Sequence, residues 1–79
     1  MARVLLFGRL SDLAGWRERE VAATTLAELR SFLAAEDADL GAALVGKGVQ
    51  TAVDQAIVRG EAALTAKSEV AFLPPMSGG

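Results

Sequence analysis

A chain of 79 residues, 52% of them hydrophobic, is the length of one small domain with a single core, and its composition is globular rather than disordered. It has no Cys, His or Tyr, which removes disulfides, the usual transition-metal ligands and the commonest nucleophiles, so neither metal binding nor catalysis by this chain alone is expected. Eight basic and ten acidic residues give a net charge of −2 and are spread without a run, which argues against a nucleic-acid partner.

Arg3 to Phe7 reads as a strand in which Val4 and Leu6 point to one layer while Arg3, Leu5, Phe7 and Arg9 share the other. Apolar residues on both faces suggest a central strand, with Phe7 either buried or displayed between arginines. The run Val4-Leu5-Leu6-Phe7 is closed by Gly8-Arg9 and is shorter than the core of a secretory leader. No stretch reaches membrane-spanning length, so a cytoplasmic location without membrane association is expected. Arg9 to Ala14 predicts a short helical turn, with Leu10 and Leu13 capping the core and Gly15 as its stop. Trp16 to Ala22 is a second strand, charged enough to lie near an edge.

Thr25-Leu26-Ala27-Glu28 has the form of a capping box, in which the Thr and Glu side chains reciprocally satisfy each other's backbone donors. Leu26, Leu29, Phe32 and Leu33 follow as one apolar stripe through about Ala35, with Glu28, Arg30 and Glu36 outward. Asp37 to Gly48 is a mixed connection: Leu40, Ala43 and Leu44 dock a helical turn, the acids are solvated, and Gly46-Lys47-Gly48 is a flexible turn. Val49 to Val53 and Ala56 to Val58 form a closely turned pair about Asp54-Gln55, with Asp54 bonding backbone in the turn. Leu64 is a core plug between two turn-like segments, Arg59-Gly60-Glu61 and Ala66-Lys67-Ser68. Glu69 to Leu73 is the last strand, with Val70 and Phe72 on one face and Glu69, Ala71 and Leu73 on the other. The order is β, β, α, β, β, β.

The chain ends Phe72-Leu73-Pro74-Pro75-Met76-Ser77-Gly78-Gly79. Two prolines fix φ near −65° and remove two donors, so the strand stops and the chain divides into a body, 1–73, and a tail, 74–79. Met76, Ser77, Gly78 and Gly79 are slim enough, the glycines above all, to lie extended in a narrow channel. The terminal carboxylate, with an ordinary pKa of roughly 3.3–3.7, is ionised at neutral pH, which makes Gly79 a candidate nucleophile toward an activated phosphate. Paired terminal glycines also arise by chance or at frayed ends; the stiff Pro-Pro spacer behind an apolar strand is what supports a working tail.

Val4-Leu5-Leu6-Phe7-Gly8-Arg9, Ala52-Val53-Asp54-Gln55 and the segment from Glu69 to Gly79 together resemble the small subunits of molybdopterin synthase along essentially the whole chain. The Phe-Leu-Pro-Pro-Met-Ser-Gly-Gly ending is the most specific part, because related ubiquitin-like sulfur carriers keep Gly-Gly but usually lack Pro-Pro. The resemblance implies an α+β fold of the β-grasp, ubiquitin-like kind: a mixed sheet packed on one main helix, first and last strands adjacent and parallel, and an extended C-terminal tail. It implies that a ubiquitin-activating-like adenylyltransferase uses ATP to adenylate Gly79, and that a sulfur donor then displaces AMP to leave a thiocarboxylate. The tail, Pro74, Pro75, Met76, Ser77 and Gly78, would thread into the large subunit of the synthase. There Gly79 would give sulfur to cyclic pyranopterin monophosphate, building the dithiolene of molybdopterin. The chain itself would bind no cofactor.

Positions matching Phe7, Ile57 and Leu73 form an exposed patch in that family which docks both partners. Strand phasing separately places Phe7 and Leu73 outward, whereas Ile57 rests on the resemblance. Leu73 stands where the best-known members carry a second Phe, and Asp54 where Asn is common; the first of these bears on affinity or partner choice, and neither touches the carboxylate chemistry. Two other readings stay open: a carrier of sulfur for thiamine, cysteine or transfer RNA, and a noncovalent ubiquitin-like adaptor using the same three residues.

Overall fold

Five short β-prone segments, with clear period-two patterning in the first and the last, and a longer helical stripe between them build a mixed sheet with helices on one face. The computed structural model describes residues 1–75, which form β1 (Ala2–Leu6), α1 (Arg9–Ala14), β2 (Glu18–Val21), α2 (Leu26–Glu36), α3 (Ala38–Leu44), β3 (Gln50–Val53), β4 (Ala56–Val58) and β5 (Glu69–Leu73). The strands lie in the order β2-β1-β5-β3-β4. β1 and β5 run parallel, with Val4 opposite Val70 and Leu6 opposite Phe72, and the other pairings are antiparallel. The first and last strands therefore meet at the centre, and charged β2 lies at an edge. Among the described residues no helix is long and apolar enough to cross a membrane.

One face of the sheet carries the core. Val4, Leu6, Val21, Val70 and Phe72 meet Leu26, Leu29 and Leu33 of α2, Leu40 and Leu44 of α3, Leu10 of α1 and the plug Leu64. Phe72 is the largest fully buried side chain, at the middle strand of the five. Helices α2 and α3 approach so closely that a Cβ on Gly41 would stand 2.4 Å from the Ala34 Cβ.

The helix layer holds more than one element, and several outward or inward assignments change with it. Ala38–Leu44 is a seven-residue helix rather than a docked turn, and Asp37 is its N-cap, its carboxylate accepting from Leu40 N–H at 3.1 Å instead of being merely solvated. Leu13 is 46% exposed, because the inward line of α1 is the i, i+4 pair Leu10 and Ala14. Phe32 is 41% exposed: at roughly 100° per residue it falls to the side of the Leu26–Leu29–Leu33 stripe, where it lies 5.6 Å from the Arg19 guanidinium. That guanidinium also sits 5.5 Å from the Trp16 ring and pairs through both nitrogens with Glu36, clasping edge strand β2 to α2. Arg30 does not turn outward; it is half-buried and donates to Thr51 Oγ1 at 3.1 Å, tying α2 to β3.

The start of α2 departs from the reciprocal box. Thr25 Oγ1 accepts from Glu28 N–H at 3.1 Å as expected, but the Glu28 carboxylate reaches Thr24 N–H at 2.7 Å rather than the N–H of Thr25. A segment far along the chain completes the cap. Glu61 Oε1 accepts from Ala27 N–H at 3.1 Å and Ala62 N–H at 3.0 Å, and Leu26 N–H donates to Ala62 O. These backbone bonds hold the Glu61 carboxyl below its ordinary value, that from Ala62 most strongly.

Candidate functional site

Among the described residues, no helix lies over the second face of the sheet. Register places Leu5, Ala71, Ala52 and Ile57 in one row across β1, β5, β3 and β4, all pointing away from the helices. One step along, Leu73 lies opposite Gln50, and Phe7 follows β1 with its N–H donating to Phe72 O at 3.3 Å, which sets it beside Leu73. Phe7 is 45% and Ile57 47% exposed, and Leu73 is half-buried. Phe7 and Leu73 are thus neighbours, and Ile57 lies diagonally across β3 from Leu73, two strand spacings over and two residues back along the strand, roughly 12 Å away. Ala52, Ala71 and Gln50 complete the surface and were legible only as the alternate residues of strands already assigned.

Charge frames this apolar area. At its far end Arg3 is paired with Glu18 at 3.2 Å and with Glu69 at 3.8 Å. Both pairs are partly exposed, so they set the polarity of the rim more than the stability of the sheet. Ile57 is held out by the β3–β4 hairpin, whose turn places Asp54 at φ 50° and Gln55 at φ 72°, the positive values a two-residue hairpin turn needs. Asp54 does not bond within its turn. Its N–H donates to Glu69 O at 2.8 Å and its Oδ1 accepts from Glu69 N–H at 2.9 Å, fixing the hairpin to β5. An Asn carbonyl oxygen can accept the same bond, so Asp54 in place of Asn leaves this anchor unchanged.

The tail begins at the same end of the sheet as Phe7. β5 ends at Leu73, and Pro74 and Pro75 continue past it, half-buried and exposed respectively. They border a groove of about 600 Å³ shared with Leu10, Leu13, Lys47 and Val49. Gly8 and Gly48 approach the two prolines from either side. Sequence reading took Gly8 as the end of a strand and Gly46-Lys47-Gly48 as a flexible turn; nothing local marks their contact with residues some thirty to seventy positions away. Met76, Ser77, Gly78 and Gly79, the rest of the expected tail and its reactive end, lie outside the described residues. Among the described residues no group of three or more His, Cys, Asp or Glu gathers to hold a metal ion.

A mixed sheet gripping a long helix, with parallel first and last strands at its centre and one sheet face left bare, defines a β-grasp, ubiquitin-like protein. Solved structures agree on the fold. Small archaeal modifier protein 1 from Methanosarcina acetivorans superposes with a TM-score of 0.88 at 20% identity, covering 99% of this chain and 95% of that one. Its counterpart from Haloferax volcanii gives 0.80 at 23% identity, covering 99% and 98%.

Sequence narrows the class further. Residues 4–79 match the model of the ThiS family, and the chain belongs to that family. It is also 38% identical over 81 aligned positions to the molybdopterin synthase sulfur carrier subunit of Escherichia coli strain K12, with all of both chains covered.

Proposed function

We propose that this chain is a sulfur carrier and the small subunit of a molybdopterin synthase. The observation that carries the reading is the full-length similarity to a subunit of that name, extending through a Pro-Pro-Met-Ser-Gly-Gly ending that follows directly from β5 beside the Phe7–Leu73 surface. A chain with neither Cys nor His is suited to be carried through a reaction rather than to perform one.

The Gly79 carboxylate oxygen attacks the α-phosphate of ATP held by a ubiquitin-activating-like adenylyltransferase, forming an acyl-adenylate and releasing pyrophosphate. A donor at the sulfide level attacks the acyl carbon, AMP leaves, and a thiocarboxylate remains. Docked through Phe7, Ile57 and Leu73 on the large subunit, the chain passes Pro74 to Gly78 into that partner's pocket. The Gly79 thiocarboxylate sulfur then bonds to a carbon of cyclic pyranopterin monophosphate, which expels its oxygen substituent. Water hydrolyses the resulting thioester, leaving the thiol on the substrate and the carboxylate on Gly79, and the dithiolene takes two such transfers. The slimness of the last residues serves entry into a closed site, where bulk water is held off until the sulfur has bonded to the substrate. ATP belongs to the activating enzyme, and the setting is the cytoplasm.

Copurification with the large subunit, followed by assay for molybdopterin, tests the assignment. Molybdopterin is expected from the loaded chain, and deletion of Gly78-Gly79 should abolish its formation without changing the melting temperature. Sulfur delivery only to a thiamine, cysteine or transfer-RNA thiolation system, or full activity of the truncation, overturns it.

A further inference from the structure

We propose that Gly8 and Gly48 form a notch that seats Pro74-Pro75 and sets the line along which the tail leaves the body, which makes them positioning residues for sulfur transfer. The inference rests on the sulfur-carrier reading for its purpose and on the sheet for its geometry. β1 runs parallel to β5 and β3 antiparallel to it, so the residues just after β1 and just before β3 flank the point where β5 ends. Gly8 and Gly48 occupy those two flanks.

Each is held at a positive φ with a proline against it, tightly at Gly8 and at Gly48 too closely for any Cβ without a shift. At Gly8, φ +56°, a Cβ would lie 3.0 Å from Pro74 Cγ; at Gly48, φ +88°, it would lie 2.7 Å from Pro75 Cβ. Ladder pairing of β5 runs out at Leu73 opposite Gln50, and the prolines have no N–H to continue it. Past that residue, close packing of two rigid rings between two bare Cα atoms takes over the guidance that hydrogen bonds gave the strand. Ring stiffness makes the seat useful, because a direction imposed at Pro74-Pro75 is carried onward instead of being lost to rotation.

The fold supplies its own control. Gly15 also has a positive φ, +82°, but nothing within 4 Å of where its Cβ would stand, so Gly15→Ala imposes left-handed backbone strain, as Gly48→Ala does, without a clash. Preformed thiocarboxylate of each variant is given to the large subunit, and transfer is measured beside chemical denaturation. Both substitutions should lower stability, Gly48→Ala by at least as much as Gly15→Ala, while Gly48→Ala lowers kcat/KM by about tenfold or more and Gly15→Ala leaves it within about twofold. In a Pro75→Gly background, which removes the clashing Cβ, Gly48→Ala should change transfer by less than about twofold. Equal loss of transfer in Gly15→Ala, normal transfer in Gly48→Ala, or an undiminished loss in the Pro75→Gly background overturns the notch. A readout free of sulfur chemistry separates this from the carrier assignment: nuclear Overhauser contacts between Gly48 Hα and Pro75 Hβ are expected in the unmodified chain. Their absence overturns the notch whatever the chain carries, whereas their presence in a chain that never acquires sulfur overturns only the carrier reading.

Discussion

The two faces of one sheet divide the labour of this molecule, and adjacent residues of a single strand fall on opposite sides of the division. Phe72 is fully buried in the core to which three helices contribute; Leu73, the next residue, looks out beside Phe7 from a face that none of the described helices covers. The helix face is close-packed and sets stability, since each buried side chain there removes apolar area from water and fills space that its neighbours cannot close. On the open face, small Ala71 and Ala52 leave a shallow apolar band between Phe7 and Ile57, with paired charges at one end. On the proposed function, a fold so small keeps binding and stability apart because strand alternation separates them by one residue.

Substitutions that act on one face alone break or sharpen this contrast. The largest effect is expected from Phe72→Ala, about 3–5 kcal/mol of stability in urea denaturation; Leu73→Ala should cost about 1 kcal/mol or less but weaken binding to the large subunit. If both behave alike, the division fails. Gly41→Val, which overpacks α2 against α3, should cost about 1–3 kcal/mol and leave the affinity of the remaining folded protein unchanged. Ile57→Asp should do the reverse, with affinity falling about tenfold, as measured by calorimetry, and stability moving within about 0.5 kcal/mol.

The smallest effect is the acid limb of stability. Glu36, through its hydrogen bond with Arg19, and Glu61, through backbone N–H groups at the start of α2, are both held below their ordinary value of 4.5. The folded state therefore favours the carboxylates, and their contribution is present above that pH and lost as pH falls through the lowered values. Glu61→Gln should flatten a plot of melting temperature against pH below about 4.5 without altering partner binding at neutral pH.

Much of this arrangement could be read from spacing. Alternation in β1 and β5 separates Val4, Leu6, Val70 and Phe72 from Phe7 and Leu73, though it leaves Phe7 either buried or displayed, and the edge position of β2 follows from its charges. The positions that misled are those where a partner distant in sequence decides. Phe32 fits a stripe by spacing but finds Arg19 on β2; Arg30 has an outward phase but finds Thr51; Glu28 yields part of its capping role to Glu61. Of the candidate site, Phe7 and Leu73 came from phasing, whereas Ile57 depended on resemblance because three residues of β4 are too few to phase. Gly8 and Gly48 could not be found from their own neighbourhoods, since positive φ explains a glycine equally well with or without a proline against it.

The central claim is that the folded body presents a terminus whose carboxylate other proteins convert. Its most direct test is the intact mass of the chain after incubation with the activating enzyme, ATP and a sulfur donor. The account predicts replacement of one oxygen by sulfur, localised to Gly79 by fragmentation and absent from a chain lacking Gly78-Gly79. An unchanged mass in the full chain, under conditions where the activating enzyme loads a known carrier, would contradict it.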